Sequence, residues 1–116
     1  MTQEDYWAEV AHKAAEKLLH EFESWYGAGR VFSRSELCRL GECTDSVVKL
    51  ALRYLRGQGH LVVAVNGGGF RLARSVGEAR DYVQSLVAQV ESLQATIAAL
   101  EEELALRQSS TQLELL

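Results

Sequence analysis

The last third of the chain carries an unbroken heptad repeat of apolar residues. Its members alternate between spacings of three and four positions; they are Val76, Ala79, Val83, Leu86, Val90, Leu93, Ile97, Leu100 and Leu104. Such a repeat keeps one narrow face of a helix apolar over four heptads, which predicts a long helix that pairs in a coiled coil. The chain contains no proline, so nothing in the sequence interrupts this helix before Ser109-Ser110, where we expect it to fray.

The residue types along this seam indicate how the helices pair. β-Branched residues dominate the first core position and leucine the second, which favours two parallel strands. We therefore expect residues 76–108 to form a parallel coiled-coil homodimer, in which the seam residues other than Ala79 make the dimer contacts. Residues 109–116 should form a flexible tail. The flanking positions 89, 94, 96, 101 and 103 offer no complementary charge pairs, so three alternatives stay open. These are an antiparallel pair, a four-helix assembly, and a helix that packs back on its own head.

The first 57 residues predict three helices. An apolar stripe from Trp7 to Trp25 indicates a helix from Thr2 to Tyr26, with Thr2 as its cap and a glycine-rich end at 27–29. Ser33 and Glu36 form a capping box for a second helix from about Arg34 to Leu40. After a turn at 41–43, Thr44 caps a third helix that reaches about Arg56. Two short helices joined by a glycine turn predict a helix-turn-helix.

A β-hairpin follows the third helix. Residues 60–65 are rich in β-branched side chains, and a second extended run covers 70–74. Between them lies Asn-Gly-Gly-Gly, which tolerates the positive φ angles of a tight turn. Ser75 and Glu78 then form a second capping box that opens the long helix.

The order of these motifs resembles a known family of domains. The run VKLALRYLRGQGHL at 48–61 is similar to the recognition helix and first wing strand of winged helix-turn-helix proteins, and GFRLAR at 69–74 is similar to their second wing strand. The resemblance covers residues 30–75 and is that of prokaryotic and phage transcription regulators. It implies a mainly α fold with a small β-wing, a DNA-binding head over 1–75, and a third helix that enters the major groove. His60 and the long first helix depart from the usual pattern and leave the subfamily open.

The charges are segregated along the chain. The net charge of −4 divides into −4 over residues 1–27, +5 over 28–75 and −5 over 76–116. Basic residues thus concentrate in the segment that carries the helix-turn-helix and hairpin, as a nucleic-acid partner requires. The acidic seam helix should stay off DNA.

The third helix carries the strongest candidate contacts. Ser46, Lys49, Arg53 and Arg56 share one face, opposite apolar residues that pack on the first two helices. Lys and Arg donate to guanine edges and phosphates. In the usual docking mode the N-terminal half of the third helix, which begins at Thr44, lies deepest in the groove. Arg34 and Ser35 could meet phosphates at the start of the second helix. A purely solvated charged face is the alternative interpretation, and for Arg34 and Ser35 capping alone is nearly as good an account.

The hairpin supplies weaker candidates. The loop from Asn66 to Gly69 could approach a sugar-phosphate backbone closely. Arg71 and Arg74 also belong to the expected DNA-contacting set. Their odd spacing places them on opposite sides of a regular strand, so at most one is a wing contact.

No pattern points to catalysis or to a cofactor. Cys38, Cys43 and His60 make a poor zinc site because a fourth ligand and a Cys-x-x-Cys pair are missing. We expect reduced thiols, no metal, no small-molecule effector, no membrane span and a cytoplasmic location, nucleoid-associated in a bacterium.

The sequence therefore predicts a non-enzymatic, dimeric transcription regulator that reads an inverted repeat in double-stranded DNA. The alternative is a protein-interaction adaptor, or a DNA-organising, partition or replication accessory factor.

Overall fold

The computed structural model describes residues 2–115, the last four of them by their backbone alone. The protein is mainly helical, with a small three-stranded antiparallel sheet and a long C-terminal helix. It divides into two compact units, Met1–Ala79 and Arg80–Leu116. The first unit holds all the sheet strands and the shorter helices, and we call it the head.

Helix α1 runs over Gln3–Ser24 and begins as expected. Thr2 accepts a hydrogen bond from the backbone N–H of Asp5, and the Asp5 carboxylate accepts one from the N–H of Thr2. One stripe of the helix is buried, comprising Ala11, Ala14, Ala15, Leu18 and Phe22. The helix ends two residues before the predicted Tyr26, because a 3-10 turn over Tyr26–Ala28 and a left-handed Gly29 at φ 68° reverse the chain there.

Helix α2 spans Arg34–Gly41 and confirms the predicted capping box. Its C-terminus is a Schellman motif, in which Cys43 N–H donates to the Cys38 carbonyl over 3.0 Å and Glu42 N–H to the Arg39 carbonyl over 3.2 Å. The motif places Glu42 at φ 52°, a left-handed conformation that glycine adopts more easily. Cys38 and Cys43 occupy the two positions whose side chains usually pack together in this motif.

Helix α3 runs over Asp45–Gly57, one residue beyond the expected end. Thr44 caps it by accepting a hydrogen bond from Val47 N–H. The buried side of the helix is its apolar one, formed by Val47, Val48, Ala51, Leu52 and Leu55. These side chains join the α1 stripe in one hydrophobic core.

The sheet contains the predicted hairpin and one further strand. The hairpin is formed by β2 (Val62–Val65) and β3 (Gly69–Leu72), with β3 in the middle of the sheet. A two-residue strand β1 (Phe32–Ser33), which lies directly before α2 in the chain, pairs antiparallel with β3. Phe32 from β1 meets Phe22 of α1 edge to face at 5.5 Å, so this short strand closes the core.

Helix α4 runs over Val76–Leu115. The fraying expected at Ser109-Ser110 is wrong, since the helix continues through these residues. Thr111 donates its hydroxyl proton to the Arg107 carbonyl one turn back, which satisfies a polar side chain without ending the helix. The seam side chains that a coiled coil would cover are exposed, with Leu93, Ile97 and Leu100 between 53% and 62%. Leu116, the end of the expected tail, lies outside the described residues.

Candidate functional site

The outer face of α3 is a polar, exposed surface. Ser46, Lys49 and Arg53 are all exposed, on the side of the helix opposite its buried residues. Arg53 has no ion-pair partner among the described side chains, and the Lys49 side chain is 60% exposed. Helical spacing therefore correctly predicted that these three side chains share one exposed face.

An acidic residue links this face to the start of α2. Asp45 forms ion pairs with Arg34 (Nε–Oδ1 3.2 Å) and with Lys49 (Nζ–Oδ2 3.7 Å). The pairs bring the first residue of α2 and the first turns of α3 onto one surface, next to the exposed Ser35 and Thr44. Asp45 also neutralises part of the positive charge there.

Strand β3 of the hairpin lies next to this surface. The Arg34 guanidinium carbon is 5.8 Å from the ring centre of Phe70 in β3. The loop that follows β2 exposes Asn66, Gly67 and Gly68. Both glycines have φ angles near +90° to +100°, and a Cβ at either would meet nothing, so the backbone of this loop is open to close approach.

Two of the predicted DNA-contacting residues have structural roles inside the head. Arg71 makes a bidentate pair with Glu78, with both N–O distances at 2.8 Å, and its side chain is only 18% exposed. Arg56 donates from Nε to the Val62 carbonyl over 2.9 Å, which ties α3 to β2. Because both guanidinium groups serve the fold, we leave Arg56 and Arg71 out of the candidate interface.

The same pair changes the predicted capping box at the start of α4. Ser75 accepts a hydrogen bond from Glu78 N–H as expected, but the Glu78 carboxylate accepts from the N–H of Arg74 over 3.2 Å. The carboxylate faces Arg71, which donates two charge-assisted hydrogen bonds to it, and it takes its backbone donor from Arg74. The Arg74 side chain lies against Gly29, where any Cβ would collide with its guanidinium.

An apolar groove next to the outer face was not predicted. It lies between the first half of α1 and α3, measures about 770 Å³, and includes Trp7, Ala11 and Leu50 in its lining. Ser46 and Arg53 form part of its α3 wall. One signal was present in the sequence: Leu50 falls on the polar side of α3, between Ser46 and Arg53, where an apolar residue has no core to pack against.

Glu36 and Cys43 have shifted pKa values. The pKa of Glu36 lies below its usual 4.5, because its carboxylate accepts a hydrogen bond from Ser33 N–H and is paired with Arg30. Burial raises the pKa of the Cys43 thiol, and the neighbouring Cys38 adds to the shift. A protonated, partly buried thiol is a poor nucleophile. Within residues 2–111, no group of three or more His, Cys, Asp or Glu side chains is placed to hold a metal ion.

Comparison with protein-family models, with curated proteins and with solved structures finds no match to this chain. None of the helices in the described part of the chain combines the length and apolarity needed to cross a bilayer.

Proposed function

We propose that the protein binds double-stranded DNA through a head of the winged helix-turn-helix type. The outer face of α3 would enter the major groove, and Arg34, Ser35 and the loop at 66–68 would meet the flanking backbone. The observation that carries the proposal is the exposed Ser46, Lys49 and Arg53 opposite a fully apolar buried side. The mode of binding needs no catalysis, cofactor or effector.

A homodimer completes the proposal. The exposed seam of α4 supplies the apolar face for a coiled coil, and its β-branched and leucine positions favour a parallel pair. Two heads related by twofold symmetry would read two half-sites of an inverted repeat. Regulation of transcription in the cytoplasm or nucleoid is the role that this geometry fits best.

The DNA contact is tested with two lysines in matched surroundings. Lys49 pairs with Asp45 and Lys13 pairs with Glu9, each at i,i+4 spacing and each largely exposed, but Lys13 lies on α1. Lys49→Ala should weaken duplex binding and reduce the slope of log K against log salt by about one unit, while Lys13→Ala leaves both unchanged. Equal effects of the two substitutions would remove the outer face of α3 from the interface.

The dimer is tested by one charge on the seam. Leu93→Asp places a carboxylate on the seam, whereas Ser92→Asp adds the same charge one residue away, outside the heptad core. Light scattering should give a reduced mass only for Leu93→Asp. A wild-type chain that is already monomeric would refute the coiled-coil dimer.

A second candidate is a protein-interaction adaptor, which the position of Asp45 favours. This carboxylate pairs with two of the cations that DNA would need. An adaptor predicts no duplex affinity even at low salt, together with intact association through α4. A DNA-organising protein predicts cooperative coating of long duplexes instead of one discrete footprint.

A further inference from the structure

The groove between α1 and α3 exposes aromatic surface that the head leaves uncovered. Trp7 is 44% exposed and Leu50 is 37% exposed, and Tyr6 beside Trp7 is 53% exposed. The rings of Tyr6 and Trp7 meet edge to face at 5.4 Å. Large aromatic side chains that line a groove between two helices are typical of a surface that another protein covers.

The charges on the two walls of the groove indicate what kind of protein covers it. The α1 wall carries Glu4, and the α3 wall carries Arg53. Neither side chain has an ion-pair partner among the side chains that the structure describes, although both line the same groove. A surface with an unpaired acid on one wall and an unpaired base on the other is complementary to itself after a rotation of 180°.

We propose that this groove is a self-association surface, on which two copies of the chain meet head to head about a twofold axis. Trp7 of each copy lies in the groove of the other, against Leu50, and Glu4 of each copy faces Arg53 of the other. This arrangement has the aromatic centre and charged rim of known protein interfaces. Two short helix faces make a small interface, so we expect a weak, concentration-dependent contact separate from the α4 seam.

Pairing of the heads has a consequence for DNA binding. Ser46 and Arg53 belong both to the groove and to the outer face of α3. Head pairs and DNA-bound heads therefore exclude each other, and duplex DNA should dissociate the pairs. This consequence rests on the proposed function, whereas the pairing itself does not.

The test uses the full chain with Leu93→Asp, which removes the α4 contact. Sedimentation without DNA, at concentrations up to about 1 mM, should show a monomer–dimer equilibrium. Adding Trp7→Ser should raise the dissociation constant at least about tenfold. Trp25→Ser is the matched control, because Trp25 is 43% exposed, caps the C-terminus of the same helix and is not among the residues that line the groove. A Leu93→Asp chain that stays monomeric throughout, as expected if a different protein fills the groove, would overturn the proposal, as would equal effects of both tryptophan substitutions.

A charge exchange tests the geometry of the pair. Glu4→Arg or Arg53→Glu alone should weaken association, because each places like charges on facing walls. The two substitutions together should restore it to within about threefold of the unmodified interface. A double variant as weak as the single ones would overturn the twofold arrangement.

Discussion

The pair between Arg71 and Glu78 should stabilise the head rather than contact DNA. Its two hydrogen bonds of 2.8 Å join strand β3 to the first turn of α4. The side chains are 18% and 31% exposed, which places the pair between exposed pairs, worth less than about 1 kcal/mol, and buried ones, whose rupture costs about 3–5 kcal/mol. We expect a coupling energy of about 1–2 kcal/mol, within the range that double-mutant cycles give for residues in contact.

A double-mutant cycle measures this coupling. Arg71→Gln, Glu78→Gln and the double variant are unfolded in urea and followed by tryptophan fluorescence, which reports on the head because Trp7 and Trp25 both lie in it. A coupling below about 0.3 kcal/mol would refute the reasoning. The salt dependence of duplex binding should be unchanged in Arg71→Gln, and a loss of about one unit of slope would return Arg71 to the DNA interface.

Three further predictions concern stability. Gly69→Ala should cost about 1–3 kcal/mol in urea unfolding, because a Cβ there collides with the Val31 side chain, whereas Gly57→Ala, with open space around it, should cost nothing. Glu42 has a left-handed backbone conformation, so the Glu42→Gly variant should be about 1 kcal/mol more stable than the Glu42→Ala variant in thermal unfolding. Equal stabilities of the two variants would show that the backbone is not strained at this position. Folding lowers the pKa of Glu36, so its contribution to the free energy of unfolding is present above its unfolded pKa near 4.5 and is lost as the pH falls through the lower folded pKa. Glu36→Gln should therefore flatten the fall in stability over that pH range. An unchanged profile of stability against pH would contradict the pairing of Glu36 with Arg30.

Local signals in the sequence predicted most of the helical framework. The caps at Thr2, Ser33 and Thr44 depend on residues three positions apart, so the sequence alone contains the whole interaction. The hairpin likewise depends on the short glycine loop after Asn66. The outer face of α3 followed from helical spacing, and its exposure in the structure agrees with that prediction.

Long-range contacts account for what the sequence did not predict. Strand β1 is two residues long and exists because Phe32 pairs with Phe70 of β3, far along the chain. The side chain of Glu78 could have capped its own helix, and only the folded position of Arg71 draws it away. The groove combines Trp7 with Leu50, which no spacing rule connects.

The most direct test of DNA binding is a map of backbone amide signals during titration of the isotope-labelled chain with duplex DNA at low salt. The account predicts shifts concentrated at residues 44–53, at the start of α2 and in the loop at 66–68, with the buried side of α1 and residues 83–106 of α4 unaffected. Shifts absent from 44–53, or no shifts at any DNA concentration, would contradict it.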